Sequence, residues 1–187
     1  MGEDATDAET IAVLVRRLVP ASVGVKTMAP PRGRAGSAKL LKAAPTFMRD
    51  LQAKGCTLVI LVHDLDLSSA NNELNDEPRL RARLSALPVP KGLERAVCIP
   101  VEELEAWFWA DQAVLDRVGK HAKASTSPHL IKKPKEQLKA LAWRTHHKSY
   151  ATNDNPELAR LLDLEICANR CPAFAALRDV VVRHCAS

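Results

Sequence analysis

The chain has 187 residues, a formal net charge of +5 and a pI of about 9.1, with 47% hydrophobic and 26% charged residues. This length suits one domain with a real core, and the composition excludes a disordered chain. No apolar run approaches the roughly 18 residues of a transmembrane helix, and the acidic start lacks the features of a signal peptide. The basic balance favours an anionic partner such as nucleic acid.

The cysteines indicate a reducing compartment. There are five of them: Cys56, Cys98, Cys167, Cys171 and Cys185. An odd number without a secretory signal predicts reduced thiols and a cytoplasmic location. Cys167 and Cys171 could share a metal, but no second Cys/His pair has finger-like spacing, so zinc is disfavoured.

The amino-terminal third predicts a helix, a strand and a second helix. Residues 7–19 carry apolar side chains at helical spacing, with Thr6 or Asp7 as the N-cap. Residues 22–27 read as a short strand closed by two prolines. A basic loop with glycines then leads into a helix that stops at Gly55.

The middle of the chain predicts a parallel sheet. Residues 57–62 form a continuous β-branched and apolar run, which is typical of a strand covered on both faces. A helical pattern follows at 76–87, then a strand at 95–100 and a helix over 102–118 with two tryptophans. The alternation predicts an α/β fold with a mainly parallel sheet flanked by helices.

The last third predicts a basic surface segment and a helical extension. Residues 119–148 are rich in Lys, His, Ser and Pro, and the tail reads as two helices that begin near Pro156 and Pro172. We therefore expect an α/β core over residues 1–118, with residues 119–187 packed on the same domain.

Two aspartates directly follow the central strand. Asp64 and Asp66 are two residues apart, so they point the same way if strand geometry persists. Parallel sheets place their sites at the carboxyl ends of strands, and two like charges there repel unless a cation neutralises them. Oxygen ligands without a nearby cysteine suggest Mg²⁺ or Mn²⁺. The alternative is a solvated loop, with His63 merely packed.

Further carboxylates stand where they could join this pair. Glu3 lies just ahead of the first helix, and Glu102, Glu103 and Glu105 follow the strand at 95–100. They meet Asp64 at one sheet edge if the strands are adjacent. The alternative for Glu102 and Glu103 is a first helical turn, where carboxylates favour the helix dipole.

Basic side chains could hold a nucleic-acid backbone without reading its sequence. The candidates are Arg32, Arg34, Lys39, Lys132, Lys133 and Lys135. The alternative is that these side chains only solvate a face of the protein.

The order of motifs resembles the TOPRIM domain of topoisomerases, primases and OLD (overcoming lysogenization defect) nucleases. The matching features are a glutamate in "GEDATD", the Asp64-Leu65-Asp66 pair after a central strand, and Glu105 in "PVEELEAWFWAD". The chain is more similar to small stand-alone TOPRIM-like proteins of a domain-of-unknown-function family. The segments "KKPKEQLKAL", "KSYATNDNPELARLLDLE" and "NRCPAF" carry that likeness, which covers nearly the whole chain.

The resemblance implies a TOPRIM-like (Rossmann-like) core and roles for four carboxylates. Glu3 would be general base or metal ligand, Asp64 and Asp66 would ligate Mg²⁺ or Mn²⁺, and Glu105 would complete the site. Glu102 or Glu103 would replace Glu105 if the alignment shifts. It also implies a bacterial defence or mobile-element setting with an ATPase partner encoded nearby.

Three functions remain open from the sequence. The first is a Mg²⁺-dependent TOPRIM-type nuclease or phosphodiesterase that acts on DNA or RNA. The second is a non-catalytic effector or assembly subunit of an ATPase-containing antiviral complex. The third is a nucleic-acid-binding module with a degenerate acidic site. All three predict contact with a nucleic acid or a partner protein, possible self-association, and no membrane.

Overall fold

The computed structural model describes residues 1–30, 37–67 and 75–186, and for 37–39 the backbone alone. Within these ranges the chain forms two strands, eight α-helices and three short 3₁₀ helices. The strands are β1 (Leu58–Val62) and β2 (Glu94–Cys98). The α-helices are α1 (Ala5–Leu18), α2 (Ser37–Ala53), α3 (Glu77–Ser85), α4 (Gln112–Val118), α5 (Pro134–His146), α6 (Asn155–Leu161), α7 (Leu164–Arg170) and α8 (Pro172–Ala186). The 3₁₀ helices are Leu104–Ala110, Pro128–Leu130 and Thr152–Asp154.

The two strands pair in parallel, as the apolar runs predicted. Leu58 lies opposite Glu94, and Val62 lies opposite Cys98. An isolated parallel bridge between Leu65 and Val101 extends the pairing beyond the ends of both strands. The fold is therefore α/β with helices on both faces of a small parallel sheet, which confirms the predicted class. The segments that follow the two strands consequently leave the sheet at the same end, the carboxyl end of both strands.

The strand predicted over residues 22–27 is wrong. The described backbone there makes no ladder with either strand, and only a turn bond joins Val23 N to Pro20 O at 2.9 Å. Val23 is 41% exposed. β-branched residues favour an extended chain, but a strand also needs ladder hydrogen bonds. Residues 23–26 line a groove beside residues 57–60, and within the described chain they make no backbone hydrogen bonds across it.

The second edge of β1 fixes the amino-terminal residues. The Met1 amino group donates to Ile60 O at 2.8 Å, and Val62 N donates to Met1 O at 2.9 Å. A groove of about 300 Å³ runs beside the rest of this edge, between α1, α2 and α8. The two hydrogen bonds hold Glu3 beside the carboxyl end of β1.

Side chains of β1 alternate between two hydrophobic cores. Val62 belongs to a core built with α1, α4 to α8 and the tryptophan-bearing 3₁₀ helix, whereas Val59 and Leu61 belong to a core with α2 and α3. The carboxyl-terminal helices share the first core. Arg17 of α1 ties them further, because its Nη1 donates to Leu162 O at 2.6 Å.

The helix predicted over 102–118 is divided in two. The residues with both tryptophans form the 3₁₀ helix Leu104–Ala110, and α4 starts separately after Asp111. The Asp111 carboxylate accepts from Ala113 N at 2.9 Å, which is an N-cap contact that starts a new helix. The tail likewise forms three helices, since Asp163 caps α7 between the two predicted ones.

None of the helices in the described ranges combines the length and the apolar character needed to cross a membrane.

Gly119 is a position where only glycine fits the packing. A Cβ placed there would lie 2.7 Å from Thr145 Oγ1 and 2.8 Å from both Cγ and O of Leu141. We expect Gly119→Ala to lower the free energy of unfolding by about 1–3 kcal/mol through overpacking between α4 and α5. Gly24→Ala is the matched control, because no atom lies within 4 Å of its added Cβ. Urea denaturation of both variants checks this, and equal stability would contradict the packing argument.

Candidate active site: an acidic cluster after strand β1

Carboxylates from three chain segments influence one another at the carboxyl end of β1. We call the acidic cluster Glu3, Asp7, Asp64, Glu103 and Glu105. Two come from the start of the chain and α1, one follows β1, and two follow β2. Parallel pairing of the strands brings their exits together, and the Met1 hydrogen bonds bring the first segment to the same place.

Glu3 is held by the backbone that follows β1. Its Oε1 accepts from Asp64 N at 3.0 Å and lies 3.0 Å from His63 Nδ1. The same imidazole nitrogen lies 2.8 Å from Asp64 O. His63 is 3% exposed, and among the described residues its Nε2 has no hydrogen-bond partner. Glu3 is thus fixed beside Asp64 rather than extended into solvent.

Asp64 is the electrostatic centre of the cluster. Burial raises the pKa of its carboxyl group well above the ordinary value, and the charges of Asp7, Glu3 and Glu105 raise it further. No hydrogen bond to the Asp64 carboxylate is found among the described residues. This group is therefore the one most in need of a cation.

Glu105 lies in the 3₁₀ helix and is only 2% exposed. Burial raises its pKa, against the opposing effects of Lys135 and Asn155. Asn155 Nδ2 donates to Glu105 Oε1 at 3.1 Å, and the Tyr150 hydroxyl donates in turn to Asn155 Oδ1. This buried chain of hydrogen bonds orients the Glu105 carboxylate.

Asp7 is a member of the cluster that the sequence did not identify. Burial, and then the charges of Asp4, Glu105 and Glu3, raise its pKa to about 7. The N-cap of α1 is Asp4, whose Oδ1 accepts from Asp7 N at 2.9 Å, so the expected capping role of Asp7 is wrong. Glu3 lies ahead of α1, so helical spacing does not relate it to Asp7, and the available signal was only the acidic character of the start of the chain.

Lys135 lies inside the acidic cluster, although the sequence placed it on a nucleic-acid surface. Its Nζ is 3.3 Å from Glu103 Oε1 and 3.9 Å from Glu105 Oε1, and its backbone N donates to Glu103 Oε2 at 3.1 Å. Burial lowers the pKa of the ammonium group, but the two carboxylates outweigh it and the net pKa is raised. One lysine thus offsets part of the charge of five carboxylates.

Asp66 and Glu102 form a second acidic pair next to the cluster. Asp66 is exposed, and Glu102 has left-handed backbone geometry with φ 64°. Burial raises the pKa of Glu102, Asp66 and Glu103 raise it further, and Lys132 and Lys133 oppose them. The charge of Asp66 therefore affects the pKa of Glu102, whereas the charges that raise the pKa of Asp64 most are those of Asp7 and Glu3.

The predicted basic surface is described only in part. Lys132 and Lys133 are exposed beside Glu102. Arg32 and Arg34 lie outside the described residues, and so does the side chain of Lys39 in α2. The structure therefore places two exposed lysines next to the acidic residues.

The donor chemistry of the cluster suits Mg²⁺ or Mn²⁺. Hard carboxylate oxygens are the preferred ligands of these ions. Burial and then the neighbouring carboxylates raise the pKa values of Asp64 and Asp7, and a cation would offset the second of these effects. In residues 1–30, 37–67 and 75–186, no three His, Cys, Asp or Glu side chains already converge as ligands for one ion. The side chains fit the ion by chemistry, and Glu3 and Asp64 would be its first ligands.

We expect Lys135→Gln to lower the free energy of unfolding by about 2 kcal/mol at pH 7, because it leaves partly buried carboxylates without their cation. Lys139→Gln, one turn further along α5, is the matched control. Lys139 pairs with Glu136 on the surface at 2.9 Å, and such pairs contribute little to stability. Chemical denaturation checks the difference, and equal effects of the two variants would contradict the role of Lys135.

The arrangement is that of an α/β protein with an acidic site at the carboxyl ends of its parallel strands. The chain belongs to the family described as "Domain of unknown function (DUF4276)", which it matches over residues 3–181. No curated protein and no solved structure matches the chain. The acidic cluster lies within the matched range.

Proposed function

We propose that the chain is a Mg²⁺- or Mn²⁺-dependent phosphodiesterase of TOPRIM type that cleaves DNA or RNA. The observation that carries the proposal is the acidic cluster, in which carboxylates from three segments come together and burial, then their mutual charges, raise the pKa values of Asp64 and Asp7. Strongly shifted carboxylates at the carboxyl end of a parallel strand are typical of a functional site.

Glu3, Asp64 and Glu105 would hold the cation, with exposed Asp66 available as a ligand at the rim. A bound divalent ion supplies Lewis-acid polarisation of the phosphate. Glu3 is positioned by the Asp64 backbone, and Glu105 is positioned by Asn155. Both carboxylates are therefore oriented before any ligand arrives, which lowers the cost of binding.

Asp7 is suited to accept a proton. Without a metal ion the pKa of Asp7 is about 7, and a bound cation would lower it, so the Asp7 carboxylate would be ionised and able to accept a proton at neutral pH. In this proposal Asp7 takes the proton from the attacking water, while Asp64 remains a ligand.

The cations near the cluster would contact the phosphate backbone. Lys132 and Lys133 are exposed beside Glu102, and they can hold phosphates without reading sequence. Lys135, unlike these two lysines, forms an ion pair within the acidic cluster, with its Nζ 3.3 Å from Glu103 Oε1. It would offset the negative charge that a phosphate brings into an acidic site.

A cleavage assay tests the proposal. Purified chain is incubated with end-labelled single-stranded DNA, duplex DNA and RNA, each with Mg²⁺, with Mn²⁺ or with EDTA. We expect cleavage of at least one substrate with a cation and none with EDTA. Absence of cleavage in every reaction, and in the same reactions repeated with any ATPase encoded nearby, would exclude the nuclease.

One observation favours a non-catalytic alternative. Lys135 already compensates Glu103 and Glu105, so the cluster is partly neutral without a metal ion. The chain would then be an assembly subunit of an ATPase-containing defence complex, or a nucleic-acid-binding module. Co-purification with the neighbouring ATPase distinguishes the subunit from the module.

A further inference from the structure

A second cavity, of about 380 Å³, lies next to the residues that follow β2. Its walls include Val101, Ala106 and Trp107, together with the start of α8. Val101 directly precedes Glu102, and Ala106 directly follows Glu105. The volume falls in the range of small-ligand sites, which are mostly apolar with a few polar groups. We call this cavity the Trp107 pocket.

The polar groups of the Trp107 pocket are an imidazole and an ion pair. His129 lines the pocket, and among the described residues its buried Nδ1 has no hydrogen-bond partner. A buried polar atom without a partner is costly, so the site favours an occupant with a polar edge. Arg81 and Glu77 also line the pocket, and their side chains form an ion pair at 2.8 Å. The pocket thus offers both donors and acceptors.

We propose that the Trp107 pocket binds a nucleobase of the nucleic acid whose backbone meets the acidic cluster. This inference rests on the proposed function and names the part of the substrate that is recognised. A nucleobase has apolar faces and a polar edge, which match the apolar walls and the groups of His129, Arg81 and Glu77. A base can enter such a pocket only when it is unstacked, so the substrate would be single-stranded or have an extruded nucleotide.

The position of the pocket supports this occupant. Its wall residues Val101 and Ala106 are chain neighbours of Glu102 and Glu105, so the pocket is built on the same short segment after β2 as these carboxylates. Lys132 and Lys133, whose charges act on Glu102, supply positive charge close to this segment. A site for an unrelated small molecule would not need to lie on the same chain segment as the acidic residues.

Nucleoside titration without a divalent ion tests the pocket separately from catalysis. Trp143→Phe removes a tryptophan that is 60% exposed, so that the remaining fluorescence comes from buried Trp107 and Trp109. Adenosine, guanosine, cytidine and uridine are each titrated into this variant. We expect a saturable fluorescence change with at least one nucleoside, and none with ribose or inorganic phosphate.

Two pocket variants give the decisive comparison. Ala176→Phe fills the mouth from an exposed position on α8, and His129→Ala removes the unpaired nitrogen. Each should weaken nucleoside binding about tenfold or more. His146→Ala, an exposed histidine elsewhere, should leave binding unchanged. The proposal is overturned if no nucleoside binds, or if binding is unaffected by Ala176→Phe.

The two proposals fail in different ways. Asp64→Asn should abolish cleavage and retain nucleoside binding, because Asp64 is not part of the Trp107 pocket. Cleavage without nucleoside binding would remove the pocket proposal alone. Nucleoside binding without cleavage by the wild type would support the pocket and remove the nuclease.

Discussion

Asp64→Asn lowers Mg²⁺-dependent cleavage by about a hundredfold or more in our account. Loss of a residue that only supports a metal ligand costs roughly 10- to 100-fold, so loss of a ligand should reach at least the upper end. The substitution keeps the shape of the side chain and removes a carboxylate whose pKa is raised well above the ordinary value by burial and by neighbouring carboxylates. Cleavage rates measured at saturating Mg²⁺ check this expectation.

Asp179→Asn is the control for this variant. Asp179 is exposed on α8, where it pairs with Arg178 at 3.3 Å, and it is not a member of the acidic cluster. It should cleave at the wild-type rate. Circular dichroism should show that both variants are folded, since asparagine relieves repulsion in the metal-free cluster. Equal cleavage by the wild type and Asp64→Asn would reject the metal mechanism.

The free energy of unfolding of the metal-free protein falls as pH rises from about 4 to about 7 in our account. Asp7 has an ordinary pKa of 3.8 when unfolded and about 7 when folded. Between these values the native state holds a proton that the unfolded chain has released, so raising the pH favours unfolding. We expect a contribution on the order of 2 kcal/mol, reduced from the full shift by solvent screening.

Asp7→Asn isolates this contribution. Urea denaturation in EDTA at pH 4.5 and at pH 8 gives the loss of stability over the window for each protein. The loss should be smaller in Asp7→Asn than in the wild type, and Mg²⁺ should restore wild-type stability mainly at the higher pH. An identical loss in both proteins would show that the Asp7 carboxyl group does not have a raised pKa.

The two strands of the sheet were predictable because their apolar and β-branched residues indicate a buried strand without any knowledge of the surrounding elements. The run at 57–62 is apolar on both faces, and it can only be a buried strand or a short buried helix. The run at 22–27 has similar β-branched residues, but a groove separates it from β1 and its described backbone makes no ladder hydrogen bonds. That difference depends on the tertiary position of the segment, which a local pattern does not contain.

The acidic cluster was predictable in part. Asp64 and Glu105 follow strands, and strand exits in parallel sheets meet at one edge. The sequence does not identify Asp7, because an aspartate at the start of a helix is more often a cap. It predicts Lys135 on the surface, because this residue lies in a basic run. Its pairing with Glu103 depends on how the start of α5 approaches the 3₁₀ helix, which no sequence pattern encodes.

Direct measurement of divalent-ion binding tests the central claim, that the acidic cluster is a cation site. Mn²⁺ is titrated into the wild type, Asp64→Asn and Asp179→Asn, and free Mn²⁺ is followed by electron paramagnetic resonance. We expect one or two bound ions per chain in the wild type and in Asp179→Asn. We expect Asp64→Asn to bind Mn²⁺ at least about tenfold more weakly. Equal Mn²⁺ binding by Asp64→Asn and the wild type would contradict the central claim.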